Sequence, residues 1–342
     1  MEMNEIRENA RKRMSGCKVC PVCNGRACAG QVPGMGGAGS GGSFIAAVDA
    51  LGRIKLNMRV IHDAVEPDTR ARVLGQELKL PVFAAPVAGV KMNMGCEDVS
   101  EDDYIRDYLA GCVDGGIIGS FGDSVPDFFF EAGLNALKAV DGKAIPTLKP
   151  FEDKYLMPKL DKAAQAGAEV VAMDIDAAGF IIPRMMGRPV LPKTTADLAR
   201  IVAYTSLQVV LKGVMTADDA RRAVDTGAAG IVVSNHGGRV IDHLPGTADV
   251  LPAIVKAVKG QITILVDGGI RSGADVVKML ALGADAVMIG RPFSWATLGG
   301  GRKGVQLYLK QLTEEFFTTM IVTGCKEVAD IDESVLFNSN KR

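Results

Sequence analysis

Six consecutive residues, Ser234-Asn235-His236-Gly237-Gly238-Arg239, set an imidazole and a permanent cation on either side of two glycines. An imidazole titrates near neutral pH and suits a general base. A guanidinium matches the geometry of a carboxylate. Glycine lets backbone come close to a ligand. Together they suit proton abstraction from a substrate that is held by its carboxylate. The apolar run 230–233 leads into the motif and reads as a buried strand. His236 and Arg239 therefore belong at the carboxyl end of a strand, where barrel enzymes keep their chemistry.

Other apolar runs end in the same way. Lys212 closes 209–212, and Asp174 and Asp176 sit at the end of 170–175. Asp267-Gly268-Gly269-Ile270-Arg271 follows 262–266, and Gly290-Arg291 follows 286–289. Glycine N–H groups beside arginine suit a phosphate, which barrels often hold with the loops after their last two strands. Eight candidate strands emerge: 82–85, 116–120, 145–149, 170–175, 209–212, 230–234, 262–266 and 286–289. Helical text separates them, such as 216–227 with its acidic start and glycine stop. This alternation predicts an α/β fold, a (β/α)8 TIM barrel. A doubly wound sheet is the runner-up, but it would place its phosphate glycines after the first strand. Residues 81–342 are assigned to the barrel and 1–80 to an N-terminal extension. The extension holds a glycine-dense stretch, 34–42, expected to be a flexible or tightly turning connector.

Positions 208–293 closely resemble the FMN-dependent 2-hydroxy acid oxidases and dehydrogenases, a family that includes glycolate oxidase and lactate oxidase. The strings that carry the resemblance are LKGVMTADDA, GAAGIVVSNHGGR, ILVDGGIRSGADVVKMLALGADAVMIGRPF and, later, EEFFTTMIVTGC; 57–90 resemble the family more weakly. The resemblance implies noncovalent FMN, a small carboxylate substrate, oxidation of a 2-hydroxy acid to the 2-oxo acid, and a homo-oligomer, with a tetramer favoured. It makes His236 the base, Arg239 the substrate clamp and Asp176 the partner of the histidine. It places Lys212 beside the flavin pyrimidine and runs the backbone of Ala85, Pro86, Val87 and Ala88 past the ring. Ser120, Thr147, Asp174, Ser234 and Gly237 join the flavin side. Asp267 goes to the ribityl hydroxyls, and Gly268, Gly269, Arg271, Gly290 and Arg291 to the phosphate.

The chain departs from this pattern at three points. No tyrosine precedes Tyr104, so the family's N-terminal substrate tyrosine has no counterpart. Lys149 stands where a strand-end tyrosine is expected, and Asp174 where the family usually has a threonine. An ammonium in place of a phenol points to a more acidic substrate or to a reaction other than simple 2-hydroxy acid oxidation. The same fold also serves FMN-dependent isomerases and reductases, such as the isopentenyl diphosphate isomerases, and a non-catalytic flavin or redox sensor is a third reading.

Cys17, Cys20, Cys23 and Cys28 follow a C-x2-C-x2-C-x4-C pattern. Four thiolates so close in sequence can close on one metal centre. An iron–sulfur cluster ranks ahead of structural zinc, and free redox-active thiols come third. A cluster here would pass electrons to an acceptor protein and make the enzyme a dehydrogenase. Net charge near −1 gives no case for nucleic acid or an acidic membrane surface. The opening Met-Glu-Met-Asn-Glu lacks an apolar signal core, so a cytoplasmic protein is expected.

Overall fold

The computed structural model describes residues 1–337. A hairpin, β1 (Ala71–Val73) and β2 (Gln76–Leu78), precedes eight parallel strands. These are β3 (Val82–Ala84), β4 (Ile118–Gly122), β5 (Ala144–Leu148), β6 (Val170–Asp174), β7 (Gln208–Val214), β8 (Gly230–Val233), β9 (Thr263–Val266) and β10 (Ala286–Ile289). Neighbours in sequence are neighbours in the sheet, and β10 pairs back onto β3 to close a barrel. Helices α1 (Met3–Arg13) and α2 (Gly42–Arg53) precede the barrel. The rest follow its strands: α3 (Glu101–Asp114), α4 (Phe128–Ala139), α5 (Asp153–Gln165), α6 (Ile181–Met185), α7 (Thr195–Tyr204), α8 (Ala217–Asp225), α9 (Thr247–Val258), α10 (Gly273–Ala281) and α11 (Arg291–Thr323). Among the described residues, no helix is long and apolar enough to cross a membrane.

The strands read as unbroken apolar runs because both of their faces are covered. Phe83, Ile118, Ile145, Val170, Val210, Val232, Leu265 and Met288 fill the barrel. Their neighbours Val82, Val171, Val209, Ile231, Ile264 and Val287 face the helices in a separate cluster. Leu74 and Leu78 of the hairpin join the inner cluster and plug the N-terminal end. Side chains alternate along a strand, so inward positions farther toward the C-terminal end are Ser120, Thr147, Asp174, Lys212, Ser234 and Asp267. All six are buried. A polar layer thus lies directly above an apolar plug, at the barrel mouth.

Two strands differ from expectation by two residues at a boundary, and most of the others by one. β4 begins at Ile118 rather than 116, because Gly116 turns the chain out of α3 at φ 79°. Ser120 is therefore mid-strand and not terminal. β7 runs past Lys212 to Val214, with its register shifted across Gly213 at φ 108°. The glycine-dense stretch is a tightly turning wall segment: residues 34–37 are buried, and the N–H of Ala38 donates to Gly238 O at 2.8 Å.

The N-terminal segment packs on the barrel at two places. α2 lies over the mouth, so close that a Cβ at Gly269 would stand 2.5 Å from Ala47 O. α1 lies across α11, where Gly299 leaves no room for a side chain; a Cβ there would meet Ile6 O at 2.1 Å. Gly299→Ala should lower the urea midpoint by an amount equivalent to about 1–3 kcal/mol, the usual cost of overpacking. An unchanged midpoint would mean that α1 does not seat on α11 as described.

Candidate active site at the barrel mouth

A cavity of about 520 Å³ opens at the C-terminal mouth, within the range of small-molecule and cofactor sites. Its wall includes Ala85, Pro86, Val87, Ala88, Lys149, Asp174, Lys212, His236, Gly237 and Arg239. Asp267, Gly268, Gly269, Arg271, Gly290 and Arg291 complete the predicted part of it. Ser120, Thr147, Asp176 and Ser234 lie just behind this wall and do not line it.

His236 follows β8 at φ 56°, and Gly237 and Gly238 continue in the left-handed region at 63° and 76°. The turn is held by Asn235, whose side-chain oxygen accepts from Gly238 N at 3.1 Å, and by Ser234 Oγ, which accepts from His236 N at 3.0 Å. It directs His236 Nδ1 to Asp176 Oδ1 at 3.1 Å. The Phe180 ring packs edge-on against the imidazole, with centroids 4.9 Å apart. With Nδ1 engaged, Nε2 is the ring nitrogen left for a ligand.

Lys212 Nζ lies 3.0 Å from Asp174 Oδ1 and 3.8 Å from Asp267 Oδ2. Burial opposes the charge on Asp174, but Lys212, with His236 and Lys149 nearby, holds its carboxyl well below the usual range. Burial likewise works against the Lys212 ammonium, and Asp174, Asp176 and Asp267 outweigh it and push its pKa up. Asp267 is different: burial raises it despite Lys212 and the 2.8 Å hydrogen bond from Ser234 Oγ.

Among the described residues, Arg239, Arg271 and Arg291 have no carboxylate partner. Arg239 donates from Nη1 to Gly34 O and from Nη2 to Asn93 Oδ1 at 3.0 Å. Arg291 donates to Met35 O at 2.7 Å, Gly36 O at 3.3 Å and Gly237 O at 2.9 Å, with its guanidinium 3.7 Å over the Phe44 ring. Burial lowers both to about 10. Arg271 donates to Ile270 O at 2.8 Å and to Cys23 Sγ at 3.4 Å.

Lys149 faces the cavity but is tethered. Its Nζ donates to Asp123 O at 2.5 Å and lies 3.6 Å from Asp123 Oδ1. Buried Lys159 pairs with the same carboxylate at 2.9 Å and with Asp127 at 3.3 Å, and Arg188 reaches Asp127 at 2.7 Å. Three cations thus share two carboxylates, and the surplus charge fronts the cavity at Lys149.

Sequence reasoning missed Asn93, which bridges Arg239 to Ala88 O, and Tyr108, whose hydroxyl donates to Ala85 O at 2.6 Å. Neither sits at a strand end, and no periodic signal marks them. Phe44 was missed for the same reason. Cys17, Cys20, Cys23 and Cys28 line a second, smaller cavity that shares Met35 and Arg291 with the first.

Several buried polar atoms around the mouth have no partner among the described residues: Ser120 Oγ, Thr147 Oγ1, Asp267 Oδ1 and Arg271 Nε. Buried polar atoms are rarely left unpaired. Of these, Asp267 and Arg271 line the cavity, and an unpaired acceptor with an arginine beside it fits the ribityl hydroxyls and phosphate of FMN.

The model of the FMN-dependent dehydrogenase family matches residues 34–185 and 181–338. The chain is 33% identical over 333 residues to the 4-hydroxymandelate oxidase of Amycolatopsis orientalis, covering 86% of this chain and 89% of that one. It is 33% identical over 328 residues to an L-lactate oxidase of Nostoc sp., covering 83% and 87%. A solved structure of mandelate oxidase with (S)-4-hydroxymandelic acid superposes with a TM-score of 0.80 at 29% identity, covering 98% of both chains. With the mouth geometry, these likenesses settle the assignment: the chain belongs to the FMN-dependent dehydrogenase family and is an oxidoreductase that oxidises a 2-hydroxy acid.

Proposed function

We propose that His236 Nε2 takes the proton released as a 2-hydroxy acid is oxidised to its 2-oxo acid. Arg239 binds the carboxylate of that acid, and Lys149 recognises a second acidic group on it. The observation that carries this reading is Arg239 itself, a half-buried guanidinium without a carboxylate partner, in the same cavity wall as His236. Bound FMN supplies the two-electron acceptor. Asp176 keeps Nδ1 protonated, so Nε2 presents its lone pair, and the same carboxylate stabilises the imidazolium that forms. Arg239 offers its fork to the carboxylate and fixes the hydroxyl-bearing carbon relative to Nε2. Lys212 places a cation beside the cofactor ring, where negative charge develops on reduction. Gly268, Gly269, Arg271, Gly290 and Arg291 hold the phosphate end, and the backbone of Ala85, Pro86, Val87 and Ala88 runs along the ring. The four cysteines bind one metal centre, of the iron–sulfur or zinc type, and the electrons pass on to an acceptor protein.

His236→Gln should bind FMN normally but slow anaerobic bleaching of the flavin by a 2-hydroxy acid by a factor on the order of 10²–10⁴. Near-normal bleaching would remove His236 from the reaction.

The Lys149 role has its own test. Lys149→Met should raise KM for malate, a 2-hydroxy dicarboxylate, about tenfold or more, as expected for one charged hydrogen bond, and leave KM for L-lactate nearly unchanged. Equal effects on the two acids would refute a second acidic group in the substrate.

A further inference from the structure

Proton abstraction and carboxylate binding use no residue of the cysteine loop, yet that loop is tightly shaped. Cys17, Cys20, Cys23 and Cys28 line one small cavity. Between the first two, Val19 is buried and held at φ 44°, a left-handed conformation that is a genuine outlier for a β-branched residue. Its N–H is directed at Cys17 Sγ, 3.4 Å away. Gly25 turns the loop again at φ 83°, where a Cβ would press into the Phe44 ring at 2.8 Å. Strain of this kind persists where surrounding structure imposes it, typically at a functional site.

The surroundings are cationic. Arg271 donates to Cys23 Sγ at 3.4 Å, and Arg291 forms part of the wall. Among the described residues neither arginine pairs with a carboxylate, so thiolates around a metal would share these cations with the cofactor phosphate. The spacing of the sulfurs bears on the metal. Four thiolates about 2.3 Å from a tetrahedral zinc stand about 3.8 Å apart. Among the described residues, Asp174, Asp176 and His236 are the one set of three such ligand atoms within 4.8 Å of one another. No three cysteine sulfurs are therefore that close. A cubane, whose four irons each take one thiolate, spreads its ligands more widely.

We propose that these four cysteines ligate a [4Fe–4S] cluster and that electrons leave the cofactor through it. The electron route rests on the hydroxy-acid reading above; the cluster assignment does not. Met35 and Arg291 stand in the walls of both cavities, so the two centres are neighbours. One 2-hydroxy acid yields one 2-oxo acid, two protons and two electrons. Both electrons enter FMN. Each then moves singly, reducing the cluster from its 2+ to its 1+ level, and goes on to a one-electron acceptor protein. Two passages of the cluster complete one turnover.

The test uses the full-length chain, purified without oxygen and loaded with FMN, ferrous iron and sulfide. About four iron and four sulfide per chain are expected, with about three electron equivalents consumed in a dithionite titration, two for the flavin and one for the cluster. Cys20→Ser should lose iron and the third electron while retaining FMN. About one zinc per chain, or no metal at all, would overturn the cluster. L-Lactate or (S)-4-hydroxymandelate should produce the EPR signal of the reduced cluster. Bleached flavin beside a cluster that stays oxidised would overturn the electron route. A flavin that no 2-hydroxy acid bleaches would count against the hydroxy-acid reading, while the iron count still decides the cluster.

Discussion

An arginine cannot shed its charge inside a protein. Arg239, Arg271 and Arg291 stand at one barrel mouth without a carboxylate partner among the described residues, and this constrains whatever else the mouth holds. The acidic groups of the site lie deeper and to one side. Asp174, Asp176 and Asp267 gather around Lys212 and His236 at the ends of β6 to β9. Charge is thus separated across the cavity. In the proposed reading an anionic substrate would direct its acidic part toward Arg239 and its hydroxyl-bearing carbon toward His236.

That separation depends on backbone conformation. From His236 to Gly238 the chain stays left-handed, and this turns the imidazole toward Asp176 while returning Arg239 to the cavity three residues later. Gly238 has no alternative, because a Cβ there would meet Phe44 N at 2.5 Å. α2, which carries Phe44, therefore packs directly against the loop that carries His236. The ring of Phe44 also lies beneath Arg291, so a single aromatic residue links the N-terminal segment to both the loop and the arginine.

The barrel was readable because its signal is local and repeated. Apolar runs with a charged or glycine end recur, and the period of two places Asp174, Lys212, Ser234 and Asp267 in one inward layer. The same logic fails where neighbours are distant in sequence. Lys149 shares Asp123 with Lys159, ten residues along and on a helix, and neither spacing nor charge pattern announces that pair. Asn93 and Tyr108 act through backbone carbonyls of the segment after β3, which leave no trace in residue type. The start of β4 was misplaced because glycines at a helix–strand junction read equally well as strand or turn until Gly116 is seen at φ 79°.

The carbonyls of Gly34, Met35 and Gly36 accept hydrogen bonds from two arginines of the barrel. Backbone oxygens are present whatever the side chain, so point substitution in this segment cannot delete the acceptors. It can only redirect the chain. Drift in 34–36 is therefore limited by shape and not by chemistry: a Cβ at Gly36 would meet Cys28 O at 1.9 Å. Arg239 and Arg291 have no such latitude, because lysine lacks the fork that reaches separate oxygens. The two sides of this contact should therefore vary unequally among related chains, with the arginines fixed by what they donate and the glycines by the room they leave.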